Sequence, residues 1–369
     1  MKNTKVFNFK VVEPPKIKEV RGKDWIYYGE DNQYPKVLQD LSKSNALHSS
    51  ILKSKVQNII GEGLQSTTHP DLLTYANSDG ESWDYIFENA CKDYMLYGFF
   101  ALNIVHTNSR ESVEVFNLDA GNVRMAPKDE DDRIPCYYYS TKWNNTKKYP
   151  PRKYEKFSMV SEDDSTIWVY GTYEPGLEYY PAPPYSGGLA SIALQSDVER
   201  YHQHSLQNGF TPSVWVNIPS QPQNEDEVRE IYRQLEDNYT MQGSEGVGAS
   251  KFILTFSDGA DLKPDIQTMS TTQNDKYYLS VVDMTTDNIL AAHRITSPML
   301  LGLKTEGQLG GKNEILEAQT LFEHKVIRPD RKCLLDSMRK FLQINAQGQR
   351  VDLSVKQSKI FDDEGELNI

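Results

Sequence analysis

The spacing of apolar residues predicts five long helices. Apolar side chains recur every three or four positions, which is the spacing of one buried helix face. Asn45 and Ser82 are N-cap residues that begin the first two helices, and Gly61 and Gly98 end them. The other three are predicted over residues 189–209, 274–294 and 313–345, and Pro329 is expected to kink or break the last one.

Alternating or continuous apolar runs predict strands between these helices. They cover residues 25–29, 99–106, 112–118, 134–139, 157–160, 166–170, 213–218 and 251–256. A polar helix opened by Asn224 is predicted between the last two strands. The proline-rich segment 180–188 indicates a linker or a sharp corner. The sequence therefore predicts an α+β fold in which segment 211–272 is too small to be stable alone.

The charge balance excludes a surface that binds nucleic acid broadly. The 369 residues include 40 Lys and Arg against 52 Asp and Glu, a formal net charge of -12. Tight phosphate binding requires excess cations. Cys91, Cys136 and Cys333 are too widely spaced to indicate a disulfide framework or a metal site. We find neither a signal peptide nor an apolar run approaching the roughly 20 residues that span a bilayer.

No catalytic motif stands out, so we predict no enzyme, no cofactor and no metal site. Residues 307–313 lack the spacing and the hydroxyl residue of a nucleotide-binding loop, and Ser50 to Lys53 lacks the partner motifs of a serine hydrolase. His48, His106, His293 and His324 are isolated in sequence, as packing or surface residues are. The alternatives are an unrecognised enzyme, such as a metal-dependent nuclease, or a monomeric binding module.

Three groups of residues stand out in order along the chain and together extend over roughly residues 25 to 345. They are Tyr28–Pro35 followed by Ile59–Leu64, then Gly187–Leu189 before a helix closing in Gln207–Pro212, then Ile289–Ile295 with Ser297–Gly302 and Phe322–Pro329. In this order, the three groups resemble the portal proteins of tailed bacteriophages.

The resemblance implies a ring, usually of twelve copies, at one vertex of the capsid. Such a ring is the conduit for genome packaging and ejection, and double-stranded DNA passes through it without sequence specificity. Its implied partners are the major capsid protein, the terminase large subunit and a head–tail adaptor, with no membrane. The implied location is the virion, after assembly in the cytoplasm of the host bacterium. An acidic body suits a conduit, because it repels the phosphates and keeps DNA from adhering.

The resemblance also divides the chain into named parts. The parts are an N-terminal arm (1–24), wing (25–186), stem helix (187–210), clip (211–272), stem helix (273–296), tunnel loop (297–312), kinked wing helix (313–345) and polar tail (346–369). A helical crown, found in many portal proteins, is expected to be reduced or absent because the chain stops soon after Leu342.

Three sets of site residues follow as hypotheses. In the tunnel loop, a ring of Lys304 side chains would touch DNA phosphates, and glycines would give the loop its mobility. On the clip, an apolar strip beside acidic residues would dock the motor or adaptor, and the stem helices would pack between subunits. The sets are Lys304, Thr305, Gly307, Gln308, Gly310 and Lys312; Glu225, Glu227, Tyr232, Leu235 and Tyr239; and Tyr278, Val282, Ile289 and His293.

Overall fold

The structure is a computed structural model, and the chain divides into two compact units. The first unit comprises Val11–Ile192 with Asn288–Ile369, and the second unit comprises Met1–Lys10 with Ala193–Asp287. The residues described are 17, 19–20, 22–207, 214–218, 226–231, 252–256, 265–268, 274–303 and 312–357.

The helices begin and end where local capping chemistry places their termini. The Asn45 side chain accepts a hydrogen bond from His48 N at 2.8 Å, and Ser82 does the same for Tyr85 N at 3.2 Å. Gly98 ends its helix with a left-handed backbone, φ 82°. The helices are α1 (Tyr34–Ser44), α2 (Ala46–Ile60), α3 (Trp83–Tyr97), α4 (Leu189–Gln207), α5 (Asn274–Ala292), α6 (Lys312–Phe322) and α7 (Arg328–Asn345).

The described strands form small sheets. The strands are β1 (Leu64–Gln65), β2 (Phe99–His106), β3 (Val113–Leu118), β4 (Val123–Met125), β5 (Cys136–Tyr139), β6 (Arg152–Glu155), β7 (Ser165–Gly171), β8 (Val214–Ile218), β9 (Phe252–Phe256), β10 (Asp265–Thr268) and β11 (Ser354–Val355). In the first unit, the sheets β3-β2-β7, β4-β5-β6 and β1-β11 are antiparallel throughout. In the second unit, β8 pairs antiparallel with β10 and parallel with β9.

The core of the first unit lies between helices α2, α3 and α7 and one face of β2. Phe100, Leu102 and Ile104 alternate along β2 and are fully buried on this face. Trp83 from α3 and Phe341 from α7 are also fully buried in the same cluster. Fully burying such side chains stabilises the fold by about 1.5–3 kcal/mol each, so this cluster holds the three helices on the sheet.

Three sequence predictions differ from the structure. Residues 157–160 are not a strand, because the strand lies just before them, at Arg152–Glu155. Residues 25–29 are not a strand either, since Tyr28 N bonds the Asn32 side chain in a local turn, at 3.0 Å. Helix α1 has no counterpart among the predicted helices, and it begins at Tyr34 with Pro35 in its first turn, where proline is favoured.

The motif Tyr28–Pro35 folds around one buried arginine. Arg124 is 1% exposed and donates to Asn32 through Nε at 2.5 Å and Nη2 at 2.9 Å. Its Nη1 donates to the carbonyls of Gly121 and Val123, both at 2.8 Å. The guanidinium also lies over the ring of Trp143, 4.8 Å from its centroid. This motif therefore has a structural role in the first unit.

Among the described helices, none has both the length and the apolar character needed to cross a bilayer. All three cysteines carry free thiols, and Cys91 and Cys136 are buried.

Candidate functional site

The predicted tunnel loop is flanked by two described segments, Arg294–Leu303 and Lys312–Ile327, which we call the loop base. Helix α5 ends at the loop base in a Schellman motif, in which Ile295 N bonds Leu290 O and Arg294 N bonds Ala291 O, both at 2.9 Å. Arg294 takes the left-handed position of this motif, with φ 60°. Glycine usually fills that position, because a side chain there costs about 1–2 kcal/mol.

The Arg294 side chain explains why arginine occupies this strained position. Pro329 has no backbone N–H, so the carbonyl of Lys325, four residues earlier, loses its helical donor. Arg294 Nη2 donates to Lys325 O at 2.7 Å and replaces that donor. The helix is irregular just before Pro329, as a π-helical segment, Glu323–Ile327, that leads directly into α7, whose first turn contains Pro329.

Further hydrogen bonds fix the start of the loop. Thr296 Oγ1 donates to Ala318 O of α6 at 3.0 Å. The Ser297 side chain caps a short 3₁₀ turn over Pro298–Leu301 by accepting from Met299 N at 3.3 Å, and Gly302 ends the turn with φ 74°. The chain therefore enters the loop from a fixed turn.

A buried arginine joins the other side of the loop base to α2. The Arg331 side chain is 8% exposed and pairs with Glu323 through Nη1 at 2.5 Å. Its Nε donates to Ile59 O at 2.9 Å and its Nη2 to Asn58 O at 2.5 Å. These carbonyls lie in the last turn of α2, where no intrahelical donor remains and where the helix dipole favours a cation.

A second buried cluster holds the end of α5 against α2. His48 Nδ1 and His293 Nε2 lie 2.8 Å apart, and the ring of Tyr185 stacks on His293 with centroids 5.0 Å apart. Both histidines are buried, and burial lowers the pKa of His48 to about 4 and that of His293 to about 2. Lys55 also lowers the pKa of His293. Both rings are therefore neutral, and the N–H group of one donates a hydrogen bond to the unprotonated nitrogen of the other.

The sequence interpretation of these histidines as packing or surface residues did not include their contact with each other. His48 and His293 are both buried, and they touch across 245 residues of chain. Spacing along the sequence holds no signal for such a contact. Nearby, a Cβ at Gly188 would lie 2.6 Å from the Ala292 side chain, so the end of α5 passes close to the chain just before α4.

The hypothesised site residues fall in different parts of the chain. Of the stem-packing set, Ile289 and His293 are 0% and 2% exposed within a single chain, whereas Val282 is half-buried. Tyr278 lies in α5 and Lys312 opens α6, and neither side chain is described. Glu227 is exposed on a helical segment, residues 226–231. Outside the described residues lie Lys304, Thr305, Gly307, Gln308, Gly310, Glu225, Tyr232, Leu235 and Tyr239.

Comparison with known proteins gives similarity in structure and none in sequence. No protein-family model matches this sequence, and no curated protein does. A chain of the virion of a native gene transfer agent particle aligns over 90% of this chain and 86% of its own, at 15% identity and a TM-score of 0.57. A chain from the neck of that native particle, computed with C12 symmetry, aligns over 87% and 84%, at 16% identity and 0.57.

The chain therefore shares the overall fold of these two chains. An HK97-family phage portal protein from Corynebacterium diphtheriae aligns at 10% identity over 86% of this chain and 94% of its own. The TM-score of that alignment is 0.49. The mixed helix-and-sheet fold expected from the sequence is thus confirmed, and the stem, clip and tunnel-loop assignments stay predictions.

Proposed function

We propose that this chain is a portal-type subunit that forms a ring at one capsid vertex and conducts DNA during packaging and ejection. The observation that carries the proposal is the fold shared with a chain of a gene transfer agent virion over 90% of this chain, and with a chain from the neck of such a particle over 87%. The ordered motifs between residues 25 and 345 point to the same class. The acidic charge of -12 suits a channel to which DNA does not adhere.

The number of copies and the partners follow from this proposal. The matched neck was computed with C12 symmetry, which favours a ring of twelve copies. The ring would dock the terminase large subunit and a head–tail adaptor, and would sit against the major capsid protein. The loop base would hold residues 304–311 at the channel, because it is fixed to α2 on one side and to the end of α5 on the other.

Electron microscopy of the purified protein tests the ring directly. We expect closed rings with a central hole, of uniform diameter. A monodisperse monomer at high concentration would contradict the proposal and favour a monomeric binding module. Metal-dependent cleavage of DNA by the purified chain would favour a nuclease instead.

Exposed apolar side chains on α5 predict where subunits meet. Leu279 and Met284 are 65% and 53% exposed in the single chain. They lie five residues apart, about 140° around the helix, so they belong to different faces. A ring joined head to tail uses two different faces of each subunit. We therefore expect Leu279→Glu with Met284→Glu to abolish rings in negative-stain images.

Val160→Glu is the matched control, because Val160 is 88% exposed in a turn of the first unit. This variant should form rings as the parent chain does. Normal rings from the Leu279→Glu, Met284→Glu variant would show that these faces do not join subunits.

Lys304 is the residue that we propose touches DNA in the channel. A ring of lysines beside the duplex forms charge-assisted contacts with phosphates, which weaken as salt rises. We expect Lys304→Ala to lower the amount of DNA retained in assembled particles several-fold, with rings unchanged. Retention is measured by nuclease protection, with Lys147→Ala as the control. Unchanged retention would remove this role for Lys304.

A further inference from the structure

A groove opens between α1, α2 and α3, and no step of the proposed channel uses it. Its volume is about 620 Å³. The apolar floor comes from α2 and α3, and polar side chains form the rim. The floor residues are Leu52, Val56, Ile60, Met95 and Leu96, and the rim residues are Ser42, Lys43, Ser49, Lys53, Gln57, Glu88 and Lys92.

The rim of the groove is positively charged. Lys92 pairs with Glu88 at 2.7 Å, so these two charges offset each other. Lys43 and Lys53 are exposed, and neither forms an ion pair with any described residue. The groove therefore combines an apolar floor with two available cations, which suits an occupant that is both apolar and acidic.

The described chain ends near the C-terminal end of α2, at Gln357, whose Nε2 donates to Glu323 Oε1 at 2.7 Å. Strand β11 pairs with β1, Glu62 N donates to Lys356 O at 2.8 Å, and Lys356 N donates to Gly63 O at 2.9 Å. These bonds hold residue 356 at the C-terminal end of α2, whose last residue, Ile60, lines the groove. The C-terminal segment thus continues from a point next to one end of the groove.

Residues 358–369 have the matching composition. Ile360 and Phe361 are apolar, and the four residues Asp362, Asp363, Glu364 and Glu366 follow them. Twelve extended residues reach up to about 40 Å. The part of α2 that lines the groove, from Ser49 to Ile60, is about 17 Å long. The segment is therefore long enough to follow the whole groove.

We propose that the groove between α1, α2 and α3 is a docking site for the C-terminal segment 358–369 of the same chain. Ile360 and Phe361 cover the apolar floor, and the acidic residues lie beside Lys53 and Lys43. Docking removes apolar surface from water and pairs charges of opposite sign. This inference does not depend on the portal proposal, because it concerns one chain only.

Disulfide trapping in the full chain tests the proposal. Gln57 is exposed on the groove rim, so Gln57→Cys with Asp363→Cys places one thiol in the groove and one in the segment. Under mild oxidation we expect an intramolecular disulfide to form at least tenfold faster than in the control pair Ser50→Cys with Asp363→Cys. Ser50 is also exposed on α2 but does not line the groove.

Charge reversal provides the second arm of the test. Adding Lys43→Glu and Lys53→Glu to the Gln57 pair should slow trapping several-fold, whereas Lys36→Glu, outside the groove, should not. Lys36, Lys43, Lys53 and Gln57 are all exposed, so substitutions there preserve the fold. Equal trapping at Ser50 would overturn the proposal. So would a dimer-sized product on a non-reducing gel, which would place the segment of a second copy in the groove.

Discussion

Acidification from pH 7 to pH 5 is expected to lower the free energy of unfolding by about 2 kcal/mol through His48 alone, which is one of two paired buried histidines. The ordinary pKa of a histidine is 6.5, and burial lowers that of His48 to about 4. The unfolded chain therefore binds more protons than the folded one. The contribution of His48 to the free energy of unfolding is fully present above about pH 6.5 and is lost as the pH falls towards 4.

The geometry makes a second proton more costly than the first. The contact between His48 Nδ1 and His293 Nε2 needs one donor and one acceptor. One added proton leaves that hydrogen bond possible, but two place N–H groups face to face. The lysine ammonium of Lys55 adds further repulsion at His293. Both rings also pack on Tyr185, so their separation would loosen the end of α5.

Urea unfolding curves at several pH values measure this effect. The double variant His48→Leu, His293→Leu lacks both rings, so its free energy of unfolding should change less between pH 7 and pH 5 than that of the parent. His324→Gln is the control, because His324 is an exposed histidine outside the buried pair. Identical pH profiles for the parent and the double variant would contradict the buried pair.

Replacing Arg331 by Met is expected to lower the free energy of unfolding by about 3 kcal/mol. The substitution leaves Glu323 without its buried partner and removes the donors to Asn58 O and Ile59 O. Unpaired buried charges and carbonyls both carry a desolvation cost. Because Arg331 joins α7 to α2, the variant should also shift the urea midpoint of the first unit.

Arg200→Met is the matched control for this prediction. Arg200 pairs with Asp197 on the surface of α4, with 66% of its side chain exposed. Exposed pairs contribute about 0–1 kcal/mol. Arg331→Lys should fall between the two, since it keeps the charge but loses the planar fork that reaches three acceptors. If Arg331→Met were no more destabilising than Arg200→Met, the buried arginine would not hold the helices together.

Local chemistry explains which elements the sequence predicts well. The caps at Asn45 and Ser82 and the glycines that end α2 and α3 act within a few residues, so their positions can be read from the sequence. One strand was predicted at residues 157–160 and not at β6, because the residues of β6, Arg152–Glu155, are largely charged and polar and give no apolar signal. Its strand conformation comes from pairing with β5.

The residues around the loop base were beyond the reach of local patterns. Arg294 meets Lys325 across 31 residues, His48 meets His293 across 245, and Arg331 reaches Asn58 across 273. No periodicity connects such positions. Pro329 indicated an irregular helix in the sequence. Only the structure identifies Arg294 as the donor to the carbonyl of Lys325, which Pro329 leaves without a helical donor.

The π-helical segment before α7 also constrains the length of the chain. A π turn holds one more residue than an α turn, so residues after Ile327 lie in a different rotational phase from those before Glu323. Deleting one residue inside this segment would restore a regular α-helix without turning α7, because the wider π winding offsets the roughly 100° that one extra residue adds. Leu334, Met338 and Phe341 would still face the core. A deletion after Ile327, where the winding is regular, would instead turn the rest of α7 by about 100°, so the π segment is the place where this helix can lose a residue.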